Sequence, residues 1–212
     1  MRTGERQPIG WVRDESARRL RDLELQAEFI ERRIMRVRYV EIQYDGAPQP
    51  MWGASNFDSL DYGLELDLDD GTTRSIIWMQ KGRNEAILAA DGPLVPTQLL
   101  PDAAIAVWDV TDRWDELGPR SISSLSAVWS RHVFGPAINS AGQQVAPGGQ
   151  SDLCLLTVIL RALDGREAVI TLGGPDTDGT YRYLADNVSV FFSVEGARKA
   201  RVYLPGDSDL IT

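Results

Sequence analysis

The sequence predicts a mainly β protein of the α+β kind, with an N-terminal amphipathic helix followed by two duplicated antiparallel hairpin-based units packed together. Three observations carry this expectation. The run Leu64-Glu65-Leu66-Asp67-Leu68-Asp69-Asp70-Gly71, followed by Ile76-Ile77-Trp78, returns as Val158-Ile159-Leu160-Arg161-Ala162-Leu163-Asp164-Gly165, followed by Val169-Ile170-Thr171-Leu172. Downstream, Leu88-Ala89-Ala90-Asp91 is echoed by Leu184-Ala185-Asp186. Ahead of both, apolar residues spaced alternately by three and four mark a helix rather than a strand. The expected organisation is an arm and helix over 1–38, a first β-rich repeat over 39–118 and a second over 119–212, together one globular unit.

The helix is expected from about Asp14 to about Met35. Leu20, Leu23, Ala27, Ile30, Ile34 and Val37 form its apolar stripe, and the expected partner of that stripe is the protein's own sheet. Asp14, Glu15 and Ser16 suit the helix start, where side-chain oxygens cap free amides and acids complement the dipole. Glu28 and Arg32 stand four apart in the favourable order.

From Val37 to Tyr44 the pattern alternates as a strand does, closed by Asp45-Gly46 and two prolines. In the first hairpin, a two-residue Asp70-Gly71 turn would set Asp67 opposite Arg74, Leu64 opposite Ile77 and Tyr62 opposite Met79. Glu65 and Asp67 would then face away from the apolar side, into solvent. Residues 93–117 read as a short helix or as a loop carrying one strand. Ile122 to Phe134 resumes strand character, and the Gly-, Pro-, Ser- and Gln-rich stretch 135–149 reads as a long loop. Leu153 to Leu160 is apolar on both faces, which predicts a central, buried strand. Asp164-Gly165 turns the second hairpin, 173–179 is a turn cluster, and Val188–Val194 and Ala200–Leu204 are the last expected strands.

Composition narrows the function by exclusion. The chain has 212 residues, 43% hydrophobic and 25% charged, enough to bury a core. Met1 to Trp11 shows no apolar leader and no run reaches membrane-span length, so a soluble, cytoplasmic protein is expected, with no membrane partner. The single cysteine, Cys154, sits among leucines and reads as buried and inert. His132 is the only histidine, which removes Ser-His and Cys-His nucleophile systems and most zinc sites. There is no phosphate-cradling glycine loop before Lys-Ser/Thr and no Gly-x-Gly-x-x-Gly after a strand. Asp176-Thr177-Asp178-Gly179 lacks the distal Glu of a calcium loop and reads as a turn. No catalytic residue, cofactor or metal ligand is assigned.

What remains is charge and aromatic surface. The net charge is −9, while residues 1–38 carry ten arginines, so the rest is more acidic than the mean. Such a body repels nucleic acid and attracts a basic protein. Asp58, Asp61, Glu65 and Asp67, with Trp52 in a Pro- and Gly-flanked loop beside them, form the candidate partner-binding patch. The expected function is a non-catalytic protein-binding module of bacterial immunity type, neutralising a basic toxin or effector through an acidic surface. An assembly subunit docking through the N-terminal helix is the alternative, and a carboxylate-dependent hydrolase or sugar-binding module a third reading.

Overall fold

A computed structural model describes residues 10–43, 57–81, 84–94, 105–115, 121–133, 135–149, 151–183 and 187–206. Among the described residues the chain is mainly β, 53% strand and 16% helical. A short strand, β1 (Trp11–Val12), leads into helix α1 (Glu15–Phe29). Asp14 caps α1 by accepting the Ala17 amide at 2.9 Å, and Glu15 lies in the first turn.

Two expectations for the helix are corrected. It ends at Phe29 rather than near Met35, because Glu31 takes a left-handed backbone (φ 67°) that swings the chain into β2 (Ile34–Ile42). Ile34 and Val37 are therefore strand residues. The buried face also differs: Leu25, Glu28 and Phe29 pack inward, whereas Leu20 and Leu23 stay 56% and 62% exposed. Polar residues on the inward face find partners that local sequence does not reveal. Asp22 accepts the Trp129 indole N–H at 2.7 Å, and Glu28 meets Arg74 at 3.5 Å.

After β2 come β3 (Asp58–Leu60), β4 (Gly63–Leu68), β5 (Thr73–Lys81), β6 (Asn84–Asp91), β7 (Ile105–Asp109) and a 3-10 turn at Thr111–Trp114. β8 (Ile122–Val133) follows, then a small hairpin of β9 (Ala137–Ile138) and β10 (Gln144–Ala146) inside the expected loop. The chain continues through β11 (Ser151–Ala162), β12 (Glu167–Leu172), the short pair β13 (Gly174–Pro175) and β14 (Tyr181–Arg182), and β15 (Val188–Phe191). Helix α2 (Val194–Lys199) comes next, its first turn capped by Ser193, which accepts the Gly196 amide at 3.0 Å. The strand expected over Ala200–Leu204 is replaced by irregular chain, although Val202 and Leu204 are still buried.

Besides the two short pairs β9–β10 and β13–β14, the described strands form two large antiparallel sheets. The first runs β6-β5-β4-β2-β7; the second runs β1-β11-β12-β15-β3, with β8 along the other side of β11. β11 is central, as its two apolar faces require. The main core lies between the sheets, joining Val37, Tyr39, Leu64 and Leu66 of the first to Leu156, Val158, Leu160 and Ile170 of the second. Cys154 is fully buried there. A second apolar cluster covers the outer face of the second sheet with α2, Val202 and Leu204, and a third lies around Val40, Tyr62, Ile77 and Leu88.

Both expected hairpins are antiparallel pairs, but their turns hold three residues, not two. Leu68 N–H bonds Thr72 O at 2.8 Å and Gly71 N–H bonds Leu68 O at 3.0 Å, with Gly71 at φ 80°. Ala162, Arg166 and Gly165 repeat this arrangement at 2.8 and 3.0 Å, with Gly165 at φ 87°. A type I turn closed by a left-handed glycine adds one residue and shifts the register by one. Leu64 therefore faces Ile76, Asp67 faces Thr73, and Arg74 faces Leu66. Arg74 thus turns away from Asp67 and pairs with Asp91 at 2.8 Å. The Leu184-Ala185-Asp186 part of the echo lies outside the described residues.

Candidate functional site

The candidate patch resolves into two separate settings, and Trp52 lies outside the described residues. On the outer face of the first sheet, the β2–β4 register sets Arg38 beside Glu65 and Arg36 beside Asp67. Arg38 Nε donates to Glu65 Oε2 at 2.7 Å, and its two terminal nitrogens donate to Asp67 at 2.6 and 2.9 Å. Glu65 also accepts the Leu94 amide at 2.6 Å, and Asp67 accepts the Thr73 hydroxyl at 2.7 Å. Burial pulls the Asp67 carboxyl upward, but the Arg38 and Thr73 hydrogen bonds outweigh it and hold its pKa below the ordinary value.

The expectation that Glu65 stays in solvent is therefore corrected: it is 3% exposed. Facing away from the inter-sheet core does not mean facing water here, because Arg38 and the Leu94 segment close over it. The same compensation runs along the strand. Arg33 meets Asp69 at 3.1 Å, Arg32 meets Asp70 at 3.4 Å, and Arg36 meets Asp109 at 2.7 Å. Three arginines of the expected basic arm, Arg32, Arg33 and Arg38, thus pair with the acidic run, and Arg36 pairs with Asp109.

Asp58 and Asp61 belong to the other setting, at one end of the space between the sheets. Asp58 is 2% exposed on β3, held by the Arg113 guanidinium and by Tyr39 Oη, which donates at 2.8 Å. Trp114 Nε1 donates to Tyr39 Oη at 3.0 Å, completing a chain from the 3-10 turn to β2 and β3. Burial and the adjacent Asp58 charge push the Tyr39 phenol well above its ordinary pKa. Asp61 is half-buried; its Oδ1 accepts from Asn187 at 3.3 Å and its carbonyl accepts the Trp78 indole at 2.8 Å.

Glu41, which sequence reasoning missed, stands beside Asp61. Its side chain is fully buried on β2, and neither carboxyl oxygen has a hydrogen-bond partner of good geometry among the described residues. Burial, reinforced by the Asp61 charge, raises its pKa to about 8, with only the Asp61 backbone favouring the charged form. A neutral carboxylic acid is the species this setting favours at pH 7. No sequence signal marks Glu41 as buried, since it alternates with Val40 and Ile42 as a solvent-facing residue would. Arg38 and Arg36 were more visible: basic residues alternating in one strand match acids alternating in another.

His132 lies in β8 opposite Asp152, and partial burial lowers its pKa. Among the described residues, no three His, Cys, Asp or Glu side chains gather to hold a metal ion. No helix among them is long and apolar enough to cross a membrane. Compared with known protein families, curated proteins and solved structures, the chain matches none.

Proposed function

We propose that the chain is a non-catalytic protein-binding module. The observation that carries this reading is the outward ridge of α1, where Leu20 and Leu23 are 56% and 62% exposed and Ala27 continues the same stripe. Single exposed leucines are ordinary, but an apolar helical stripe turned to solvent offers a partner a ready desolvated contact. The net charge of −9 adds a long-range field that favours a basic partner, as a toxin or effector neutralised by an immunity-type inhibitor would be. In this reading Asp58 and Glu65 act from inside, fixing β2, β3 and β4, while Asp61 and Asp67 lie nearer the surface. A second reading, an assembly subunit docking through α1, draws on the same ridge and differs in the partner.

We also read the two sheets as a duplicated unit. What supports this is that β2-β4-β5-β6 and β8-β11-β12-β15 are both four-stranded antiparallel meanders with the same three-residue turn in the second connection.

The test compares the parent with Leu20→Glu/Leu23→Glu in affinity capture from the native host, with bound proteins identified by mass spectrometry. Both sites are exposed, so folding should persist by circular dichroism. The expected result is a partner captured by the parent and lost, by at least tenfold in affinity, with the variant. Association with a basic partner should also slow as salt rises. A partner held equally by both proteins would remove α1 from the interface.

A further inference from the structure

A cavity of about 680 Å³ opens where the end of α2 meets the outer face of the second sheet. Its floor is aromatic. Phe57 and Phe191 stack with centroids 4.7 Å apart, and Tyr181 sets its ring edge-on to both at 5.9 and 5.7 Å. Tyr181 Oη donates to Leu172 O at 2.6 Å, which anchors that ring to β12. Lys199 and Arg201 stand in the lining, and among the described residues none that lines it is a carboxylate. In a chain of net charge −9 these two cations stand together, with Glu195 reaching Lys199 from outside the lining.

Arg201 is held in an unusual way. Its φ is +63°, in the left-handed region. Arg201 N–H bonds Arg198 O and Val202 N–H bonds Ala197 O, both at 3.0 Å, the paired bonds that end a helix in a Schellman motif. Glycine is the residue that takes this position without strain. An arginine here is conformationally costly, and none of the described residues forms an ion pair with its guanidinium to offset that. Nearby acids are already engaged: Glu195 reaches Lys199 at 3.4 Å, and Asp178 accepts from Thr180 at 2.6 Å.

We propose that this cavity binds a small amphipathic aromatic anion, an aryl carboxylate or sulfonate, with its flat body on the Phe57–Tyr181–Phe191 floor and its charge between Arg201 and Lys199. Strain kept at a cavity rim is accounted for when the side chain it presents contacts a ligand. Planar guanidinium pairs with a carboxylate through two donors, and aromatic rings supply apolar contact in fixed geometry.

The test uses 1-naphthoate as probe and 1-naphthamide as its uncharged counterpart, titrated by calorimetry against the whole protein and Arg201→Gly. Glycine relieves the strain, so the variant should melt about 2–4 °C higher than the parent. The same variant should bind naphthoate at least tenfold more weakly, while the parent binds it at one site and prefers it to the amide. Greater stability with lost binding separates a ligand-contacting arginine from a structural one. The proposal fails if the parent shows no saturable binding, if naphthamide binds as well as naphthoate, or if Arg201→Gly binds like the parent.

Discussion

The two hairpins share a turn and differ in everything their outer faces touch. Counted back from the turn glycines, Glu65 opposite Ser75 in β4–β5 occupies the place of Ile159 opposite Val169 in β11–β12. Asp67 opposite Thr73 corresponds in the same way to Arg161 opposite Glu167. On the neighbouring strand, Arg38 of β2 answers Glu65 where Ser126 of β8 answers Ile159. The apolar pair of the second sheet is covered by α2, Val202 and Leu204. In the first, Glu65 is covered by the Arg38 guanidinium and the Leu94 amide. One turn chemistry therefore serves two solutions to covering a face, and the non-local partner decides which.

The largest expected effect comes from breaking the charged solution. Arg38→Ala takes the guanidinium from buried Glu65 and removes two of the three hydrogen bonds to Asp67; urea denaturation should show a loss of about 3–5 kcal/mol. Installing the apolar pattern of the other hairpin, with Arg38→Met, Glu65→Ile and Ser75→Val together, should recover most of that loss. If the single variant is as stable as the parent, the ion pairs on this face are ornamental to its folding.

The next contrast is between buried polar groups. In the second sheet, the hydroxyls of Thr157 and Thr171 satisfy each other at 2.8 Å and do not titrate near neutrality. In the first, Glu41 has its pKa raised from 4.5 to about 8. A raised carboxyl pKa in the folded state means the associated stability is fully present below about pH 4.5 and lost as pH rises through about 8. Stability should therefore fall across that window by on the order of a few kcal/mol, and Glu41→Gln should flatten the dependence. A slope unchanged by Glu41→Gln would assign it to other groups.

The smallest effect tests the likeness rather than the difference. Gly71 and Gly165 have open space where a Cβ would stand, so alanine meets only backbone strain. Gly71→Ala and Gly165→Ala should each cost about 1 kcal/mol, by closely similar amounts. Unequal losses in thermal denaturation would show that the turns are held differently.

These contrasts also explain what the sequence disclosed. Strand positions, the central place of β11 and the turn sites follow from patterns of ten residues or fewer, because apolar alternation and left-handed glycine are local chemistry. The face on which α1 packs was hidden, since Asp22 and Glu28 become inward residues only through Trp129 and Arg74, far along the chain. The acidic patch misled for the same reason. Asp58 and Glu65 look solvent-facing until Arg113 and Arg38 are brought to them, and Glu41 carries no mark of burial at all.

β3 has a consequence for how the polypeptide is made. Asp58–Leu60 precedes most of the first sheet in the chain, yet its hydrogen-bonded neighbour is β15, and β1 likewise waits for β11. As the chain leaves the ribosome, these early segments have no strand to join until much of the remainder has been synthesised. Closing such distant pairs is slow, and meanwhile their edges stay open to wrong neighbours. The edge that β3 needs therefore exists only once Val188–Phe191 has been made, long after Asp58–Leu60 itself.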